Sequence, residues 1–133
     1  MLATDYTLSS TTELDFPDAV EQVRAELKNE GFGVLCDIDV QATLQEKLGI
    51  EGEPYVILGA CNPPYAHQAL EAEPELGVLL PCNVAVYRRD GGTHIAAVDP
   101  ERMLSIVGNE QLAPIATQMR EKLGRVVERA AGH

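Results

Sequence analysis

Two long segments of the chain carry apolar residues at the three- and four-residue spacing of an amphipathic helix. In the first segment these positions are Phe16, Val20, Val23 and Leu27. Pro17 suits the first turn of this helix, and Gly31 is a residue type that readily ends one. In the second segment the apolar positions are Leu112, Ile115, Met119, Leu123, Val126 and Ala130. Pro114 restricts how far upstream this second helix can begin.

Five shorter segments have the composition of β-strands. They are residues 6–12, 32–40, 55–60, 82–88 and 94–98. Between the last two, Asp90-Gly91-Gly92 predicts a hairpin turn, because glycine adopts positive φ angles without steric cost. The third segment is apolar on both faces, which is typical of a central strand covered on each side.

Residues 32–40 alternate strictly between the two faces of a strand, and this pattern predicts on which face Cys36 lies. One face carries only apolar residues and this cysteine: Phe32, Val34, Cys36, Ile38 and Val40. We therefore predict that Cys36 is a small core residue. Asp37 and Asp39 belong to the opposite, polar face, and Asp39 is placed to cap a short helix that ends at Gly49.

Short helices are also predicted between the later strands. Asn62-Pro63 is a strong helix start before residues 65–72, and Asp99 caps another helix that begins at Pro100. The resulting order is β-α-β(4)-α with short helical insertions. It predicts an α+β fold with a largely antiparallel sheet and the two long helices on one face. A chain of 133 residues fits a single domain spanning 1–133.

The charge balance disfavours two classes of partner. The chain has 10 basic and 21 acidic residues, a net charge of −11. Such a surface repels nucleic-acid phosphates and anionic lipid headgroups, so we expect no nucleic acid and no membrane as partners. No apolar run approaches the roughly 20 residues that span a bilayer, and no targeting segment is visible. A cytoplasmic location is the resulting expectation.

Candidate chemistry centres on Cys61 and Cys82, each of which lies where an apolar segment meets proline. Cys61 precedes Asn62-Pro63, and Cys82 follows Pro81. Strand order predicts that both thiols reach the same edge of the sheet. A thiol near a helix N-terminus meets unpaired N–H groups, which favour the thiolate, and His67 lies in the same short helix.

Three interpretations of this pair stay open. Both thiols are small buried fillers, which is common for free cysteine. Alternatively they form a thiol-based or anion-binding site for a small acid or sulfur species. A metal site is the third interpretation, although single cysteines lack the paired spacing of zinc motifs, so no metal is predicted. Three cysteines are also too few for a secreted disulfide framework.

Several segments together resemble one family, catalogued as domain of unknown function 302. They are Glu-Gly-Phe-Gly-Val-Leu at 30–35, Asp-Ile-Asp-Val at 37–40, Gly-Ala-Cys-Asn-Pro-Pro-Tyr-Ala at 59–66, Gly-Val-Leu-Leu-Pro-Cys-Asn-Val at 77–84 and Ala-Val-Asp-Pro at 97–100. The resemblance implies a homodimer with a TATA-binding-protein-like α+β fold and implies no activity. The resemblance implies that the following residues fall on family motifs: Cys61, Asn62, Pro63, Leu80, Pro81, Cys82, Asp99 and Pro100.

We therefore predict a homodimeric small-ligand-binding domain whose pocket lies near Cys61 and Cys82. The predicted ligand-binding residues are Cys61, Asn62, Pro63, His67, Pro81 and Cys82. Two alternatives remain: a thiol-dependent redox or sulfur-handling enzyme that uses Cys61 or Cys82, and a structural or interaction module without an active site. No cofactor is assigned.

Overall fold

The computed structural model describes residues 4–132. Within that range five strands form one sheet, helices join the first four strands in sequence, and the longest helix follows the last strand. The strands are β1 (Thr7–Thr12), β2 (Gly33–Asp39), β3 (Tyr55–Cys61), β4 (Cys82–Arg89) and β5 (Gly92–Val98). The α-helices are α1 (Phe16–Asn29), α2 (Val40–Leu48), α3 (Pro63–Ala72), α4 (Pro100–Ser105) and α5 (Ala113–Ala130), and short 3-10 helices span Pro74–Leu79 and Glu110–Leu112.

The sheet is antiparallel throughout, with the strand order β1-β5-β4-β3-β2. The α+β class and the predicted β-α-β(4)-α order are both confirmed. The predicted hairpin joins β4 to β5 through Asp90 and Gly91, whose φ angles are 53° and 78°. Two consecutive positive φ angles give the turn the twist that paired strands require, which explains the acidic residue followed by glycine.

The core lies between one face of the sheet and the helices α1 and α5, which pack on each other. From the sheet it takes the alternate residues Leu58, Val84, Val86, Ile95 and Ala97, all fully buried. From the helices it takes Val23, Leu27, Leu123 and Val126. These are the positions that the helical spacing predicted, so the apolar stripes of both long helices are confirmed. In residues 4–132 no helix is both long and apolar enough to cross a membrane.

The helix ends follow the predicted capping chemistry in three places. Asp39 accepts a hydrogen bond from the amide of Ala42 at 2.9 Å at the start of α2. Asp99 accepts one from the amide of Glu101 at 3.0 Å at the start of α4. Gly31, just after α1, has a φ of 85°, a conformation that favours glycine.

The prediction that Cys36 is a core residue is wrong. The pairing of β2 with β3 shifts between Val34, which lies opposite Ala60, and Cys36, which lies opposite Gly59. This β-bulge inserts one residue and so reverses the faces of the strand beyond it. Cys36 is therefore exposed, away from the helices, whereas Asp37 turns to the helix side and pairs with Arg24.

The prediction that β3 is covered on each side is also wrong. Val56, Leu58 and Ala60 on the helix side are buried, whereas Tyr55 and Ile57 on the other side, here called the open sheet face, are half-buried. The ring of Tyr87 stacks between those of Tyr55 and His94, with centroids 5.1 Å and 4.9 Å apart. The open sheet face comprises mainly half-buried, uncharged residues: Tyr55, Ile57, Ala85, Tyr87, His94, Ala96 and Val98.

Candidate functional site

An apolar cavity of about 280 Å³ opens where β3 and β4 meet α3. The strands contribute Cys61 and Cys82, and one side of α3 contributes Tyr65. The opposite wall comes from α4 and α5, which contribute Met103 and Met119. The cavity is therefore built by elements that are far apart in sequence and meet only in the folded chain.

The structure brings Cys61 and Cys82 to this one cavity, as strand order predicted. Ala60 is the register partner of Cys82, so Cys61 lies one residue beyond that pair at the end of β3. The two thiols differ in environment, because Cys82 is 1% exposed and Cys61 is half-buried. Any chemistry at this site that needs solvent access therefore falls to Cys61.

Burial changes the acidity of Cys82. Loss of hydration raises the pKa of its thiol from the ordinary value of 9.0 to about 12, and the neighbouring Cys61 adds to the rise. A thiol with this pKa stays protonated at neutral pH, and the thiolate is the reactive form. Cys82 is consequently a poor nucleophile in the folded protein.

Asn62 occupies the cap position of α3 but does not cap the helix with its side chain. Its Nδ2 instead donates a hydrogen bond to the backbone carbonyl of Glu30 at 3.2 Å, just beyond the end of α1. The residue is 5% exposed and also lines the cavity. Asn62 thus ties the wall of the cavity to the first long helix.

Two of the predicted site residues lie outside the cavity. Pro63 and His67 are exposed, and neither is among the cavity-lining residues. The reason is helical geometry, because Tyr65, Ala66 and Ala69 of α3 line the cavity and His67 points to another side of the helix. The expectation that His67 approaches Cys61 at this site is therefore wrong.

The start of α3 offers few donors to an anion. Pro63 and Pro64, the first residues of the helix, have no backbone N–H. The amide of Ala66 already donates to the carbonyl of Asn62 at 2.9 Å. The unpaired N–H groups that the anion-binding interpretation needs are thus largely missing, and the proline content of the sequence already indicated this.

Pro81, one of the predicted ligand-binding residues, lines the cavity and also packs beside Gly59 of the neighbouring strand. A Cβ atom added to Gly59 would lie 2.5 Å from Cys36 Sγ and 2.9 Å from Pro81 Cγ. Both distances are shorter than a normal van der Waals contact. Glycine is therefore required at this position by close packing rather than by backbone conformation.

The half-buried residue Glu30 supports the site, and sequence reasoning missed it as an individual residue. Its side chain is 9% exposed and lies 2.9 Å from Arg125, 3.2 Å from Arg129 and 3.9 Å from Lys122. The hydrogen bonds from Arg125 hold the pKa of the Glu30 carboxyl below its usual value. The i, i+4 spacing of the two arginines on α5 was the available sequence signal.

Sequence reasoning also missed Tyr65, Met103 and Met119 as cavity residues. Met119 was assigned only to the core stripe of the second long helix, because helical spacing cannot distinguish a core position from a cavity wall. Among residues 4–132, no three His, Cys, Asp or Glu side chains form a cluster suited to a metal ion.

The comparisons with known proteins agree on one family. The family model described as "Domain of unknown function DUF302" matches residues 6–130. The crystal structure of an uncharacterized conserved DUF302 protein from Bacillus stearothermophilus is 30% identical in sequence and superposes with a TM-score of 0.89, covering 96% of this chain and 99% of that one. No curated protein matches the sequence. The resemblance seen in the motifs is thus confirmed, and the chain belongs to the DUF302 family.

Proposed function

We propose that this protein is a homodimeric small-ligand-binding domain whose binding site is the cavity beside Cys61 and Cys82. The observation that carries the proposal is the cavity itself, about 280 Å³ and lined by residues of both strands and helices. This volume approaches the range of roughly 300–1,000 Å³ that is typical of ligand pockets. Its wall is predominantly apolar, which is the usual character of a small-molecule site.

The mouth of the cavity supports the proposal further. Leu35 and Leu70 both line the cavity and are 68% and 38% exposed. Large apolar side chains at the rim of an apolar cleft keep their surface in water unless something covers them. A ligand that fills the cleft would cover part of both side chains and gain binding free energy from their burial.

The thiol-enzyme alternative has weaker support. Cys82 is protonated at neutral pH, since burial raises its pKa to about 12. His67 is exposed and lies outside the cavity, so it is not placed to act as a base for Cys61 there. The two thiols accordingly fit the walls of a binding site better than a nucleophile and its partner.

The open sheet face supports the homodimer. At about 4.8 Å per strand and 3.3 Å per residue, five strands present a flat area of roughly 500 Å². The side chains project from this plane, so the solvent-accessible area exceeds the flat area. It approaches the roughly 800 Å² that a standard interface buries on each partner. In a chain of net charge −11, the outward positions of β3 to β5 carry no acidic residue, and Arg89 lies at their end. A second copy is the occupant that this face fits best.

A thermal-shift screen of uncharged and charged small molecules tests ligand binding, because a ligand that prefers the native state raises the melting temperature. Ala66→Phe fills the cavity, and Gln68→Phe adds the same side chain on the exposed side of α3. We expect compounds that stabilise the natural protein and Gln68→Phe but not Ala66→Phe. Stabilisation of all three proteins alike, or of none, would contradict the proposed site.

A further inference from the structure

We propose that the cavity selects an uncharged, largely apolar ligand the size of a one- or two-ring aromatic compound, and that it rejects anions. The inference rests on the proposed function and narrows it to a chemical class. It also replaces the anion-binding interpretation of the sequence. Three independent properties of the cavity wall support it: the absence of charged side chains, the scarcity of free amide donors, and four sulfur-containing side chains beside one aromatic ring.

The wall carries no charge. Among the described residues that line the cavity, none is Asp, Glu, Lys, Arg or His. An anion buried without a cationic partner loses hydration that the wall does not replace, which lowers its affinity relative to an uncharged ligand of the same shape. The net charge of −11 on the chain adds a further repulsion.

The amide donors of the wall at the start of α3 are largely paired or absent. The Nδ2 of Asn62 donates to the Glu30 carbonyl, and the amide of Ala66 donates to the Asn62 carbonyl. Pro63 and Pro64 have no N–H to offer at the start of α3. A ligand that needs several hydrogen-bond donors therefore loses water contacts that the cavity does not replace.

The remaining wall is soft and polarisable. Four side chains that line the cavity contain sulfur, namely Cys61, Cys82, Met103 and Met119, and Tyr65 adds an aromatic ring. Thioether sulfur makes favourable contacts with aromatic rings. Pairs of aromatic rings gain stabilisation beyond that of burying their surface. The thiol of Cys82 stays neutral at physiological pH, so it adds no charge to this wall.

The volume sets the size of the ligand. A cavity of roughly 150 Å³ lined by aliphatic and aromatic side chains holds benzene in another protein. The present cavity, at about 280 Å³, is close to twice that volume. One ring with substituents, or two fused rings, therefore fills it without displacing the wall.

Naphthalenemethanol and naphthoate form a matched pair of probes, because they share the two-ring body and differ in charge at neutral pH. Each is titrated into the natural protein, Ala66→Phe and Gln68→Phe, and binding is followed by NMR through the amide shifts of cavity residues. We expect the alcohol to shift Ala69 and Met119 in the natural protein and in Gln68→Phe, and not in Ala66→Phe. We expect naphthoate to bind at least about tenfold more weakly. Amide spectra and melting curves of both variants establish that they are folded.

The other outcomes separate the inference from the proposed function. Binding of naphthoate at the cavity as tightly as the alcohol would overturn the selection for uncharged ligands and leave small-ligand binding intact. Failure of both probes to shift cavity residues up to their solubility limits would overturn the inference, and a thermal-shift screen that yields other ligands would still uphold the proposed function. Shifts confined to the open sheet face would overturn the assignment of the ligand to this cavity.

Discussion

The carboxylate of Glu30 accepts two hydrogen bonds from the guanidinium of Arg125, at 2.9 Å and 3.0 Å. This pair joins the end of α1 to α5, and the backbone carbonyl of Glu30 also accepts the hydrogen bond from Asn62. A single residue thus connects both long helices to the wall of the cavity. The planar, two-point geometry fixes the relative position of the helices more firmly than a single contact would.

Replacement of Glu30 should remove a stabilisation that depends on pH. The folded pKa of Glu30 lies below its ordinary 4.5, so the stabilisation is complete above pH 4.5 and is lost as the pH falls through the folded pKa. Glu30→Gln should therefore lower the free energy of unfolding by about 0.5–1 kcal/mol at neutral pH, because the partly exposed arginine partners are screened by water. Urea denaturation from neutral to acidic pH should show the two proteins converging at low pH. Glu46→Gln, on the exposed side of α2, is the control, and parallel pH profiles for Glu30→Gln and the natural protein would contradict this prediction.

Gly59 should not tolerate a side chain. The added methyl of Gly59→Ala would meet Cys36 Sγ at 2.5 Å and Pro81 Cγ at 2.9 Å, and the proline ring cannot rotate away. We expect a loss of about 2 kcal/mol in the free energy of unfolding, the usual cost of overpacking. Gly124→Ala is the matched control, because a Cβ at that position in α5 meets no atom within 4 Å. It should stabilise the protein by about 0.5–1 kcal/mol. Equal effects of the two substitutions in urea denaturation would argue against the packing explanation.

The three cysteines should react with an alkylating reagent in the order of their exposure. In a single subunit Cys36 is exposed, Cys61 is half-buried and Cys82 is buried with a pKa of about 12, so in protein diluted to the monomer the expected order of rates is Cys36, Cys61, Cys82. Peptide mass spectrometry after timed alkylation measures each rate separately. Unfolding in urea should bring the three rates together, which provides the control. Fast modification of Cys82 in the folded protein would revive the thiol-enzyme interpretation.

Alkaline pH should destabilise the protein through Cys82. The unfolded thiol loses its proton near pH 9, while the folded thiol keeps it until about pH 12. Stability is therefore complete below pH 9 and falls by roughly 1.4 kcal/mol per pH unit as the pH rises between these values. Cys82→Ala removes this contribution, so its unfolding free energy should depend less steeply on pH over that range. The tyrosines and lysines titrate in both proteins, and the difference between the two slopes isolates Cys82. Identical slopes would show that burial of this thiol does not carry the effect.

The fold could be predicted from the sequence where its signals are local. The apolar stripes of α1 and α5, the Asp90-Gly91 turn and the cap at Asp39 each depend on residues within a few positions of one another. These predictions were correct because spacing and turn chemistry act between neighbours along the chain and do not depend on tertiary contacts. That is why the element order and the fold class were correct.

The predictions that were wrong or incomplete concern features that depend on the partner strand or on residues distant in sequence. The bulge beside Cys36 leaves the alternation of β2 unbroken in sequence, so only the pairing with β3 reveals that the faces reverse. The side chain of Asn62 bonds to Glu30, in a different part of the chain, rather than to its own helix. Met119 was visible as an apolar helix position, and its place in a cavity wall follows only from how α5 packs.

Charge placed on the open sheet face should disrupt the proposed homodimer. Ala96 lies on β5 within this face, beside the stacked rings of Tyr87 and His94. In Ala96→Asp the carboxylate stays hydrated in a monomer but becomes buried without a partner when two faces meet. We expect the dimer dissociation constant to rise at least about a hundredfold, with little change in the fold.

Sedimentation equilibrium measures the dimer dissociation constant, and the melting temperature of the natural protein should rise with its concentration. Gln68→Asp adds the same charge on the exposed side of α3 and should leave assembly unchanged. A natural protein that sediments as a monomer at high concentration, or an Ala96→Asp variant that dimerises as tightly, would refute the assignment of this face.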